Sequence, residues 1–241
     1  MTPVVLLHGF LGRGADWAPV AHRLAETRTV LAPDLPGHGT APEASSLDEA
    51  VRALADRLDA ERLGAVDLAG YSMGGRLALM FAVRHPARVR RLVLVSASPG
   101  LRTPDERAAR RAADAALAAE IVADFPAFLD RWTRQPLFAS LFEAQRARLV
   151  ADRLAHGRPD ALARALVGMG TGAMPSLWEP LRSLGVETHA VAGALDPKYV
   201  GIGTEMSAAA PVRLTVVPGA GHNLLAEAPD DLADLLSFLL A

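Results

Sequence analysis

The sequence predicts an α/β fold: a mostly parallel sheet of about six strands, interrupted after the fourth strand by an all-helical lid insertion. Three observations lead there. Through the first hundred residues, short apolar runs closed by turn residues alternate with longer helical patterns, the rhythm of a doubly wound sheet. From Leu101 to about Leu184 only helical segments occur, broken at Pro126, Pro136, Gly157 to Pro159 and Gly170 to Gly172. Strand-type runs then resume, and an amphipathic helix closes the chain. The expected division is a core of residues 1–100, a helical lid over 101–184 and a second part of the core over 185–241.

Each element follows from its residues. "PVVLLHG" is the first buried strand, and it runs into "HGFLG", a loop with glycines on both sides of Phe10. "DWAPVAHRLAE" has helical spacing, "TVLAPD" reads as the second strand, and Asp34 is expected to support the "PDLPGHG" turn that follows. "LDEAVRALADRL" is the next helix and "AVDLAGYS" the third strand. Gly70-Tyr71-Ser72-Met73-Gly74 then spells G-x-S-x-G between that strand and the helical "GGRLALMFAVRH", the strand–turn–helix setting of a nucleophile elbow. "RLVLVSAS" is the fourth strand. The lid carries "TPDERAARRAADAALAAEIVAD", "PAFLDRWTR", "FEAQRARLVADRLAH" and "PDALARALVGMG", with Phe128, Phe138 and Phe142 expected to pack it. "ETHAVAG" and "VRLTVVPG" complete the sheet, and "PDDLADLLSFLL" ends the chain.

A serine hydroxyl needs a histidine to take its proton and an acid to orient that histidine. In this class of fold the chain order is serine, acid, histidine. Asp196 in "GALDPK" and His222 in "PGAGHNLL" each follow a strand and meet that order with Ser72. The backbone N–H groups of Phe10 and Met73 are the candidate donors to a developing oxyanion. Arg76, four residues after Ser72, shares a helix face with it, and this raises the choice between a surface arginine paired with an acid and a binder of an anionic substrate. The lid holds 12 Arg against 10 Asp and Glu, a net of +2, while the remainder carries a net of −4. Arg107, Arg110 and Arg111 lie on one side of a lid helix.

These motifs, in this order, resemble the α/β-hydrolase superfamily across the whole chain. Many members begin with an additional antiparallel hairpin, whereas this chain starts at the strand leading into "HGF". The wording "GYSMGGR", "SPGLRTPDERAARRAAD", "RWTRQPLFASL" and "ARLVADRLAHG" resembles, more narrowly, the family that makes 2-succinyl-6-hydroxy-2,4-cyclohexadiene-1-carboxylate in menaquinone biosynthesis. That resemblance implies elimination of pyruvate from a cyclohexene polycarboxylate without metal or organic cofactor. It implies substrate binding by Tyr71, Arg76, Arg110, Trp132 and Arg153, with Arg107 or Arg111 able to replace Arg110. The alternatives are a serine hydrolase of small esters, thioesters or C–C bonds, and a non-catalytic receptor on the same fold.

Composition bounds the rest. At 241 residues, 51% hydrophobic and 22% charged, the chain is an ordinary globular protein able to bury a core without disulfides. The absence of cysteine excludes a thiol nucleophile and a thiolate metal site, and fits a cytoplasmic location. A formal charge of −2 argues against a nucleic-acid partner, and no apolar run approaches the ~18 residues of a membrane span. The expected partner is a small anionic substrate, and the expected state a monomer or weak homodimer.

Overall fold

The computed structural model describes residues 1–44 and 46–241. Strands β1 (Val4–Leu7), β2 (Val30–Leu31), β3 (Val66–Tyr71), β4 (Val89–Val95), β5 (Glu187–Gly193) and β6 (Val212–Val217) form one sheet in the order β2-β1-β3-β4-β5-β6. Every pair is parallel. The order reverses between β1 and β3, so the loops leaving their C-terminal ends part and open a crevice. "HGFLG" leaves β1 there, and Ser72 leaves β3.

The strands alternate faces with a period of two, and the helices fall on both sides accordingly. Val4, Leu6, Ala69, Val93 and Val95 pack with α1 (Ala18–Ala25) and α11 (Pro229–Leu239), the latter following the short α10 (Leu224–Glu227). Val5, Leu7, Leu68, Leu92 and Leu94 pack with α2 (Leu47–Ala60), α3 (Met73–Arg84) and Met206 of α9 (Pro197–Ala209). Trp17 is fully buried in the first of these cores.

Between β4 and β5 lie five α-helices among the described residues: α4 (Pro104–Ala123), α5 (Phe125–Thr133), α6 (Glu143–His156), α7 (Pro159–Met169) and α8 (Trp178–Arg182). Among the described residues this insertion contains no strand. Thr103 and Glu106 cap α4 reciprocally, and Asp124 caps α5. Ile121, Phe128, Leu129, Leu162 and Leu166 form a core of the insertion's own, which reaches the sheet domain at Leu11. The two ends of the insertion meet at Trp178, whose Nε1–H donates to the Gly100 carbonyl at 3.0 Å while the Arg102 guanidinium lies 3.6 Å over its ring.

Three details differ from the sequence expectation. The second strand is only Val30–Leu31, because Pro33 has no N–H for the ladder and the chain then turns into the Asp34 loop. Helix α9 has no counterpart in that expectation, since Gly201 and Gly203 break its apolar pattern, and Gly203 lies against Leu214. Phe142 is exposed at the N-cap of α6 and does not pack the lid.

At the sheet edge away from Ser72, Asp67 is fully buried between Arg28 (side chain 4% exposed) and Arg90, at 3.1 and 2.6 Å. Removing one member of a buried ion cluster strands the other charges. Asp67→Asn is therefore expected to lower unfolding free energy by about 3 kcal/mol, measured by urea denaturation. A loss under about 1 kcal/mol would mean that the arginines relax to water without cost.

Candidate active site

Ser72 sits between β3 and α3 with φ 52° and ψ −108°. A non-glycine residue at positive φ costs about 1–3 kcal/mol, so its surroundings must hold it there. Its N–H donates to the Val95 carbonyl at 2.8 Å, and the strand and helix fix both flanks. The glycines of G-x-S-x-G answer to contact. A Cβ on Gly70 would overlap the Gly74 carbonyl, and one on Gly74 would overlap the carbonyls of Leu7 and His8.

Asp196 ends the loop after β5 and caps α9, accepting the Tyr199 N–H on Oδ1 at 3.2 Å. Its Oδ2 accepts from His222 Nδ1 at 2.8 Å, which leaves His222 Nε2 facing Ser72 Oγ at 3.3 Å. The structure thus brings together the three residues expected from chain order. Asp196 and His222 are both buried, and the imidazole is flanked by Tyr199, Tyr71 and Phe138 with ring centroids at 4.7, 5.5 and 5.7 Å. Burial raises the pKa of both tyrosines, so they stand as neutral walls.

The Phe10 and Met73 amides donate to no protein acceptor among the described residues. The loop bearing Phe10 is fixed by His8, whose Nδ1–H donates to the Gly9 carbonyl and whose Nε2 accepts the Leu35 N–H, both at 2.8 Å. That pattern requires a neutral imidazole, and burial lowers the His8 pKa to about 4. Burial, followed by the proximity of His8, lowers His38 to about 3. Asp34 braces the next loop by accepting the N–H groups of Gly14 and Thr40.

Ser72 and His222 open onto a chamber of about 500 Å³ lined also by Phe10, Arg76, Arg110 and Trp132. Arg76 is 7% exposed, and among the described residues its side chain makes one hydrogen bond, a 3.4 Å contact from Nη2 to the Met169 carbonyl. Its Nε has no partner, and no carboxylate lies within ion-pair distance among the described residues. Burial lowers its pKa. The arginine is therefore neither on the surface nor paired with an acid. Arg110 is bonded to Asp114 at 2.7 Å and faces the same chamber. Arg107 donates to the Leu101 and Arg102 carbonyls and Arg111 to the Gly172 carbonyl, and neither lines this chamber.

Two residues not singled out from sequence, Lys198 and Tyr199, also line this chamber. The available signal was that Lys198 is the sequence's one lysine and stands two residues after Asp196.

Phe10 and Trp132, with ring centroids 5.6 Å apart, separate this chamber from a second one of about 320 Å³. Tyr71 and Arg153 belong to the second chamber and are not brought to the first. Arg153 is bidentate to Asp16 at 2.8 and 2.5 Å and bonded to Asp152 at 2.6 Å, while Asp152 also binds Arg13. These pairs tie α6 to the segment after β1. Among the described residues no cluster of three or more His, Asp or Glu is placed to hold a metal, and no helix is long and apolar enough to cross a membrane.

A family model described as the alpha/beta hydrolase family matches residues 4–235. A candidate 2-succinyl-6-hydroxy-2,4-cyclohexadiene-1-carboxylate synthase of Bacillus subtilis (strain 168) is 39% identical over 98% of this chain and 89% of its own length. The synthase of that name from Enterobacter sp. (strain 638) is 35% identical over 98% of this chain and 91% of its own. Among solved structures, MenH from S. aureus superposes with a TM-score of 0.93 at 31% identity, covering 99% of this chain and 93% of that one.

The buried histidines give the fold an acid limit. Their folded pKa values, about 4 for His8 and about 3 for His38, lie below the usual 6.5, so the unfolded chain binds protons first as pH falls. Their contribution is complete above pH 6.5 and is lost progressively down to those values. Between pH 7 and pH 5 the unfolding free energy from urea denaturation is expected to fall, by at most about 2 kcal/mol for each of the two histidines. An equal fall in a His8→Gln, His38→Asn variant would assign it to other groups.

Proposed function

The chain belongs to the alpha/beta hydrolase family and, within it, to the 2-succinyl-6-hydroxy-2,4-cyclohexadiene-1-carboxylate synthases, and from that premise we propose how it works as a lyase of menaquinone biosynthesis. It eliminates pyruvate from 2-succinyl-5-enolpyruvyl-6-hydroxy-3-cyclohexene-1-carboxylate. The observation that carries the reading is Arg76, a buried cation without a carboxylate partner, four residues after the serine and in its chamber. An ester pocket has no use for such a charge, whereas a substrate carboxylate supplies the missing partner.

The ring proton next to the succinyl ketone is acidic because its loss gives an enolate. Ser72 Oγ takes that proton while passing its own to His222 Nε2, and Asp196 holds the imidazole in the required tautomer and stabilises the imidazolium. The negative charge gathers on the ketone oxygen, where the Phe10 and Met73 N–H groups act as donors. The electrons return through the ring and break the bond to the enolpyruvyl oxygen. The pyruvate enolate leaves and gains at carbon the proton that His222 gives up, becoming pyruvate, and the ring goes from one double bond to two conjugated ones. No water is consumed and no acyl-enzyme forms.

Arg76 and Arg110 bind substrate carboxylates so that the reacting C–H faces Ser72. Trp132 forms the wall between the chambers. Tyr71 and Arg153 receive the part of the substrate that passes this wall. A carboxylate reaching Arg153 must compete with Asp16, so its contribution is smaller than that of Arg76.

The test follows pyruvate and diene absorbance together on the cyclohexene substrate, with a p-nitrophenyl ester as control. Equal amounts of pyruvate and diene are expected from the wild type. Ser72→Ala is expected to lower kcat/KM by roughly 10³-fold and Arg76→Ala by roughly 10²-fold. Fast ester turnover without pyruvate, and an unaffected Arg76→Ala, would make the protein a hydrolase.

A further inference from the structure

Lys198 is the sequence's one lysine among 25 basic residues. It is the second residue of α9 and stands solvent-exposed at the mouth of the serine chamber, two positions beyond the capping Asp196. The local electrostatics oppose a cation at this point. The free N–H groups of a helix's first turn carry roughly half a positive charge. Arg76 and Arg110 line the same chamber, and desolvation together with these two guanidinium groups lowers the Lys198 pKa against the opposing pull of Asp196.

Asp196 is not free to relieve the conflict. Its Oδ2 is taken by His222 and its Oδ1 by the Tyr199 N–H, and no ion pair to Lys198 forms among the described residues. A 5.5 Å approach to the Tyr199 ring is a weak cation–π contact. A residue chosen for stability alone would be acidic or neutral here. Departures from local preference concentrate where a ligand completes the arrangement.

We infer that Lys198 is a further substrate-binding residue, its ammonium taking a carboxylate at the chamber mouth. The α9 wall then supplies a contact separate from those of Arg76 on α3 and Arg110 on α4. The identity of the substrate rests on the lyase reading, but the binding claim needs only an anion with more than one carboxylate. A lysine suits the position, since a point charge on a flexible stem can follow a carboxylate entering from solvent.

The experiment compares wild type, Lys198→Gln and Lys198→Arg by steady-state pyruvate release and by thermal unfolding with and without citrate as polycarboxylate probe. Lys198→Gln is expected to raise KM about tenfold with kcat within about threefold, and to reduce the citrate-induced rise in Tm. The same variant, freed of the conflict with the helix terminus, should melt about 1–3 °C higher than wild type without ligand. Lys198→Arg should restore KM to within about threefold. An unchanged KM in Lys198→Gln, or a lower Tm without ligand, would overturn the assignment. If the wild type released no pyruvate, the lyase reading would fall and the citrate shift alone would decide. A wild-type shift left intact by Lys198→Gln, or no shift at all, would then overturn it.

Discussion

Arg76 carries its positive charge into a wall where, among the described residues, its side chain finds one long carbonyl contact and no ion pair. A guanidinium in that position costs several kcal/mol of desolvation that nothing in the free protein offsets in full. The cost arises from the lid. Met169, at the end of α7, supplies the single acceptor, and Leu166, Gly170 and Thr171 line the chamber beside it. The insertion therefore creates the conflict that an anionic substrate resolves, and the serine chamber is defined by a charge as much as by a nucleophile. Asp114 attracts Arg76 through space but bonds Arg110 through Oδ1 and forms no ion pair with Arg76 among the described residues.

The sheet determines where that charge can be used. The reversal of strand order between β1 and β3 puts the Phe10 loop and the Ser72 elbow side by side, and β5 and β6 deliver Asp196 and His222 to the same edge. Neutral His8 and His38 under the Phe10 loop keep further positive charge away from the chamber. The Arg13, Asp16, Asp152 and Arg153 network fastens α6 to the same loop, so the lid and the proposed oxyanion donor are held by one set of contacts. The rigid half of the site lies in the sheet, and the charged half is shared with the lid.

Much of this was legible in the chain. The glycine spacing of the elbow is a steric requirement, and the order Ser72, Asp196, His222 follows from which strands end at the functional edge. The fully buried strands announced themselves as continuous apolar runs. What escaped depends on contacts between distant residues. That Arg153 is held by Asp16 involves residues 137 apart in sequence, and no local pattern encodes such a pair. Helix α9 is continuous but carries two glycines in its apolar pattern and packs on β5 and β6, so periodicity does not mark it, nor the setting of Lys198 with it. That Arg76 is buried without an acid, and not paired at the surface, was open until the lid stood over it.

The claim at the centre of this account is that Ser72 and His222 remove a proton from carbon and do not attack a carbonyl. The most direct measurement uses substrate deuterated at the ring position next to the succinyl ketone. Its kcat/KM is compared with that of the protiated substrate while the quenched protein is weighed by mass spectrometry. Carbon–hydrogen cleavage in the limiting step predicts a primary isotope effect with the protein mass unchanged throughout turnover. No isotope effect, together with an acyl adduct on Ser72, would contradict the account and return the site to ordinary nucleophilic catalysis.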